Sequence, residues 1–99
     1  MKQLLLSLLL AVMPPQLTVH LHGDAFVPST LTIAAGQTVL FVNDDDDAHT
    51  VTATDFSFDS KGLDTNGTWK HTFAKPGTYK IFCELHPFMK LTIRVKAAS

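Results

Sequence analysis

From residue 17 onward, the sequence is divided into short segments that read as β-strands, with turn residues between them. Residues 17–22 and 30–33 alternate apolar and polar side chains with a period of two, which is the pattern of a half-buried strand. Turn signals such as Gly36-Gln37 and Lys75-Pro76-Gly77 separate the segments. The same reasoning predicts five further strands, over residues 38–42, 49–54, 67–73, 78–83 and 91–96.

Nothing in this part of the chain favours helices. No stretch of the 10–15 residues that a βαβ unit needs shows a 3.6-residue apolar period. About seven short strands in about 83 residues are typical of an all-β sandwich of two sheets. Residues 55–66 have the weakest pattern and are predicted to be irregular.

Composition bounds the class of protein. The chain has 99 residues, of which 45% are hydrophobic and 17% charged, and its formal net charge is −1. These values predict one soluble globular domain, and they exclude a disordered chain and a basic protein that binds nucleic acid.

The first residues form a separate segment. Lys2 precedes an apolar run that ends near Met13, which suits a secretory signal but is well short of the ~20 residues that span a bilayer. We expect a signal peptide over 1–16 and a domain over 17–99. The mature protein would be periplasmic or otherwise exported, with no membrane span.

Export gives meaning to the single cysteine. In an oxidising compartment, an unpaired cysteine indicates an intermolecular disulfide, a reactive thiol or a metal ligand. The alternation along residues 77–83 places Tyr79, Ile81 and Cys83 on one face, so we expect Cys83 to point inward at the end of its strand.

Cys83 begins a loop that also carries His86 and Met89. Thiolate, imidazole and thioether together favour copper bound by two histidines, one cysteine and a weak axial methionine. Zinc sites rarely use methionine and usually contain more than one cysteine. His49, in the polar loop of residues 43–51, is the candidate for the second histidine.

Several stretches closely resemble the plastocyanin-like cupredoxins, the type 1 blue copper proteins, and the ligand loop is most similar to that of amicyanin. Three departures lie near the ligands: Glu84-Leu85 replaces Thr-Pro, Ala48 stands where proline often precedes the first histidine, and Lys90-Leu91 lacks a common glycine. The similar stretches are residues 26–31, 36–39, 42–43 with 49–51, and 77–79 leading to Cys83-x-x-His86-Pro87-Phe88-Met89.

The resemblance implies a Greek-key β-sandwich of about seven to eight strands. It implies one copper ion in a type 1 site, whose ligands are His49, Cys83, His86 and Met89. It also implies single-electron transfer rather than catalysis, between redox partner proteins such as a c-type cytochrome or a dehydrogenase. We expect a monomer.

Two other functions remain open. A periplasmic copper carrier or storage protein would use the same four ligands. A nucleophilic Cys–His enzyme would use Cys83 and His86, but the sequence shows neither a third orienting residue nor an oxyanion-hole motif.

Other residues admit two interpretations each. His20 and His22 project from the same face of a strand, so they would either chelate a second metal or simply be exposed. The acidic run 44–47 is either a solvated loop or a surface that attracts a basic partner.

An apolar docking patch around Pro87 and Phe88 is expected to extend to Leu85 and Phe26.

Overall fold

The computed structural model describes residues 17–98, so the predicted signal peptide lies outside the described residues. Within this range the only regular elements are strands, as the sequence predicts. They are β1 (Leu17–Leu21), β2 (Phe26–Val27), β3 (Thr30–Ala34), β4 (Gln37–Asn43), β5 (Thr52–Ala53), β6 (Thr68–Phe73), β7 (Gly77–Phe82) and β8 (Lys90–Lys96).

The strands form two four-stranded sheets, with the orders β2-β1-β4-β6 and β3-β8-β7-β5. Two pairs are parallel, β1 with β4 and β3 with β8, and the others are antiparallel. The chain passes from one sheet to the other after β2, β3, β4, β5 and β6, as Greek-key connections require. The prediction of an all-β sandwich is confirmed.

The core lies between the sheets and contains alternate residues of the strands. Leu91, Ile93 and Val95 are 2%, 0% and 5% exposed, which confirms the inward face predicted for this strand. Each apolar side chain of this size stabilises the fold by roughly 1.5–3 kcal/mol when it is fully buried. Other core residues are Val19, Leu21, Ile33, Val39, Phe41, Val51, Phe73 and Ile81.

The predicted strand over 49–54 is largely absent. Only Thr52–Ala53 form a strand, and His49 makes an isolated bridge to Leu63 instead. The cause is that residues 49–54 pair partly with the segment 55–66, which is irregular as predicted. The polar residues around His49 therefore belong to a loop that crosses the end of the sandwich.

The short strand β2 was not predicted, and it changes the position of Phe26. Phe26 pairs with Leu21, an inward-facing residue, and it is only 2% exposed. The prediction that Phe26 extends an exposed docking patch is therefore wrong. Its neighbour Val27 is 48% exposed.

Within residues 17–98, no helix is long and apolar enough to cross a bilayer.

Candidate metal centre

Three of the four predicted ligands meet at one end of the sandwich. His49 lies on the loop after β4, Cys83 directly follows β7, and His86 lies three residues further along the connection to β8. One donor atom from each of the three lies within 4.8 Å of the others.

The distances between these donor atoms suit a single metal ion. The Cys83 sulfur is 3.7 Å from Nδ1 of His49 and 4.0 Å from Nδ1 of His86. Bonds of about 2.0 Å to nitrogen and 2.3 Å to sulfur, the lengths found for zinc, put the sulfur about 3.7 Å from each nitrogen when the donor atoms spread at 120°. The two sulfur–nitrogen distances therefore suit trigonal coordination by two histidines and a cysteine.

The Cys83 side chain is fully buried. Its sulfur accepts a hydrogen bond from the backbone N–H of Thr50, at 3.3 Å. A buried thiolate needs such a donor because it has lost its water. Thr50, the residue that follows the predicted ligand His49, thus supports the sulfur of the other loop.

Threonine hydroxyls tie the two ligand loops together. The backbone N–H of Glu84 donates to Oγ1 of Thr50 at 2.8 Å, and Oγ1 of Thr50 is 2.9 Å from Oγ1 of Thr52. Oγ1 of Thr52 in turn bonds carboxylate oxygens of Glu84 and Asp59, each at 3.1 Å. These bonds fix His49 and Cys83 relative to each other.

Met89, the fourth predicted ligand, is 1% exposed and belongs to the same core cluster as Cys83. Its backbone N–H donates to the carbonyl of His86 at 2.9 Å, and its carbonyl accepts from the N–H of Cys83 at 3.3 Å. The 83–89 connection is thus a closed turn with Met89 on its buried side.

The two histidines differ in exposure. The His49 side chain is completely buried, whereas 24% of the His86 side chain is exposed. The rings meet edge to face with centroids 4.7 Å apart. Beside His86, Leu85 and Phe88 are 56% and 68% exposed, so the imidazole reaches the surface within an apolar rim.

Sequence reasoning missed the acidic residues that contact the far sides of these rings. Oδ2 of Asp45 is 2.8 Å from Nε2 of His49, and Oδ1 of Asp24 is 3.5 Å from it. Oδ2 of Asp47 is 4.0 Å from Nε2 of His86. For Asp45 and Asp47, the only signal in the sequence was the acidic run 44–47, whose individual contacts depend on the loop conformation; Asp24 lies outside this run.

Asp45 is held by several donors. Burial acts to raise the pKa of its carboxyl, but hydrogen bonds from the backbone N–H groups of Asp24 and Gly23 and from His49 outweigh burial and lower the pKa to about 2. Asp45 is therefore an anion at neutral pH, next to a predicted ligand.

His20 of β1 and His22, the residue after this strand, are the candidates for a second metal site. His20 and His22 are both exposed, and Nδ1 of His20 lies 2.7 Å from Oδ2 of Asp44. Within residues 17–98, the groups of three or more side chains able to hold a metal include neither histidine.

Fold and site together define a class: a small β-sandwich with a cysteine and two histidines converging between the loops at one end. Comparison with known protein families gives the same class. The model of the cupredoxin-like domain matches residues 7–95, and the chain belongs to this family.

Among curated proteins, the chain is 34% identical over 100 residues to plastocyanin of Ulva prolifera. This alignment covers 79% of this chain and 97% of the Ulva protein. It is 32% identical to the chloroplastic plastocyanin of Physcomitrium patens. The aligned part is 81% of this chain and 56% of the Physcomitrium protein.

Two solved structures show the same fold. A Cu-containing nitrite reductase from Thermus scotoductus superposes with a TM-score of 0.80 and 33% identity, over 89% of this chain but only 24% of the reductase chain. A variant of amicyanin in the Cu(I) state superposes with a TM-score of 0.77, over 87% of this chain and 88% of amicyanin. Its 22% identity supports the fold alone.

Proposed function

We propose that this protein is a type 1 copper protein that carries single electrons between redox partners. The observation that supports the proposal best is the convergence of Cys83 with Nδ1 of His49 and Nδ1 of His86, at 3.7 and 4.0 Å from the sulfur. The plastocyanins related to this chain and the copper named in the structures of its fold neighbours support the same conclusion.

The donor set fits copper better than zinc. We propose that His49, Cys83 and His86 form a trigonal plane and that Met89 is the weak axial ligand, a combination typical of blue copper sites. A structural zinc site commonly has four strong ligands, whereas the group around Cys83 within residues 17–98 contains three. Bound there, copper supplies the one-electron chemistry by alternating between Cu(I) and Cu(II).

The role of the protein is to keep the ligands in place in both oxidation states. The Thr50 N–H fixes the sulfur, and the Thr50 hydroxyl fixes the backbone of Glu84. Since both loops leave the rigid ends of strands, little rearrangement accompanies the change of charge. A site of this kind suits an electron carrier rather than an enzyme that must open to a substrate.

We propose His86 as the point where electrons enter or leave. It is the more exposed of the two histidines, and exposed Leu85 and Phe88 surround it with an apolar surface. Weak redox encounters commonly bury less than ~1,200 Å², so a small apolar patch is enough for them. The carboxylates of Asp24 and Asp47 lie beside the patch and favour a partner with basic residues, such as a c-type cytochrome.

An exported location agrees with this function. A dehydrogenase is a second possible redox partner for the same site. We propose a periplasmic or otherwise exported monomer that meets its partners one at a time.

Addition of Cu(II) to the purified protein tests the site. We expect an intense visible band from charge transfer between the Cys83 thiolate and Cu(II), at one copper per chain. Cys83→Ser should abolish the band, whereas Ser57→Ala, an exposed substitution on the 55–66 segment, should leave it intact. A colourless protein, or a serine variant that stays blue, would contradict the proposal.

A further inference from the structure

We infer that Asp45 is a positioning residue for His49: its carboxylate fixes the imidazole with Nε2 protonated and with Nδ1 free to face Cys83. The effect on metal affinity rests on the proposed copper function. The effect on the ring itself does not, and it can be measured without metal.

The two nitrogens of His49 have different surroundings. Nε2 lies 2.8 Å from Oδ2 of Asp45, and Nδ1 lies 3.7 Å from the sulfur of Cys83. An ionised carboxylate only accepts hydrogen bonds, so Nε2 must carry the proton. Nδ1 then keeps its lone pair, which is the form that binds a metal. With Nδ1 protonated instead, the ring would lose its hydrogen bond to Asp45 and point a proton at the donor cluster.

Asp45 is the acceptor, rather than one of the other acidic residues nearby. Oδ1 of Asp24 is 3.5 Å from Nε2, which is longer than a good N–H···O bond. The Asp46 side chain is exposed to solvent. A single carboxylate therefore determines the orientation of the buried ligand.

The Asp45 carboxylate is itself rigidly held. Its Oδ1 accepts from the backbone N–H of Gly23 at 2.8 Å, and its Oδ2 accepts from that of Asp24 at 3.0 Å. Gly23 and Asp24 have φ values of 63° and 55°, a left-handed conformation that turns successive N–H groups toward one anion. The N–H of Asp45 donates to Oδ1 of Asn43 at 2.9 Å. The turn between β1 and β2 thus reaches the candidate metal centre through Asp45.

This arrangement predicts that loss of the carboxylate weakens metal binding without removing a ligand. Partners of metal-binding histidines typically change affinity 10–100-fold when they are mutated. We expect Asp45→Ala to weaken Cu(II) binding by a factor in this range. Asp45→Asn keeps an oxygen that can accept from Nε2, so we expect a smaller loss.

The first test uses protein without metal. Long-range ¹H–¹⁵N spectra of the imidazoles distinguish the two neutral tautomers. We expect His49 of the unaltered protein to be protonated at Nε2, Asp45→Asn to keep that tautomer, and Asp45→Ala to show a mixture. The matched control Asp46→Ala should match the unaltered protein. A wild-type His49 protonated at Nδ1, or an Asp45→Ala spectrum identical to the wild type, would overturn the inference.

The second test is a competition titration with Cu(II) on the same four proteins. The inference predicts affinity in the order wild type equal to Asp46→Ala, then Asp45→Asn, then Asp45→Ala. If wild type binds copper and Asp45→Ala binds equally well, the positioning role is wrong while the copper function stands. If wild type fails to bind copper, the function is wrong, and the tautomer test still decides the role of Asp45. Should Asp45→Ala not fold, Asp45→Glu replaces it in both tests, because its longer side chain cannot keep the bonds to Nε2, Gly23 and Asp24 together.

Discussion

Asn43 is expected to stabilise the end of the sandwich that holds the candidate metal centre more than any exposed residue of the same loops does. Its side chain is fully buried, and its Nδ2 donates to the carbonyls of Leu63 and Asp47 at 2.8 and 2.9 Å. Its Oδ1 accepts from the N–H of Asp45 at 2.9 Å. Asn43→Ala removes all three bonds; the Leu63 carbonyl then keeps only its bond from the N–H of His49.

The size of the effect follows from these contacts. Three hydrogen bonds at about 1 kcal/mol each, together with the cost of leaving a buried group unsatisfied, give a loss of about 3–5 kcal/mol in the free energy of unfolding. A domain of this size loses about 4–8 °C of melting temperature for each kcal/mol, so the midpoint should fall by at least about 12 °C.

Urea and thermal unfolding of the copper-free protein measure this loss. Thr65→Ala is the matched control, because this exposed residue bonds carbonyls of the same loop from the solvent side. We expect the control to cost less than about 1 kcal/mol. A similarly small loss for Asn43→Ala would show that water replaces the three bonds and that Asn43 does not organise the loops.

Three further predictions concern the copper-loaded protein. Met89→Gln should keep copper and lower the reduction potential, because an oxygen donor favours Cu(II); an unchanged voltammogram would mean that Met89 only packs in the core. Glu84→Gln should raise the potential and leave the visible band in place, since it removes a negative charge next to Cys83, and equal potentials at low salt would exclude this role. Phe88→Ser should slow electron transfer to a c-type cytochrome in stopped-flow measurements while the potential stays constant; an unchanged rate would place the docking surface elsewhere.

The sequence predicted those parts of the fold that depend on alternation. The burial of Cys83, Leu91, Ile93 and Val95 was predictable because the side chains of a strand alternate between core and solvent. The grouping of Cys83 with His86 was predictable because they are separated by only two residues in one connection.

The loops were less predictable. Phe26 was misplaced because β2 is only two residues long, too short for alternation to show which side faces inward. The pairing of His49 with Leu63 depends on how an irregular segment folds back, and local sequence does not determine this. Asp45 could not be distinguished from its acidic neighbours because its role depends on the backbone of Gly23 and Asp24, more than twenty residues earlier.

Cyclic voltammetry of the copper-loaded protein tests the central claim, that this site carries single electrons. We predict one reversible one-electron wave that persists over repeated cycles, with one copper per chain before and after. Copper released on reduction would instead indicate a carrier or storage protein, and an irreversible wave would show that the ligand loops do not hold both oxidation states.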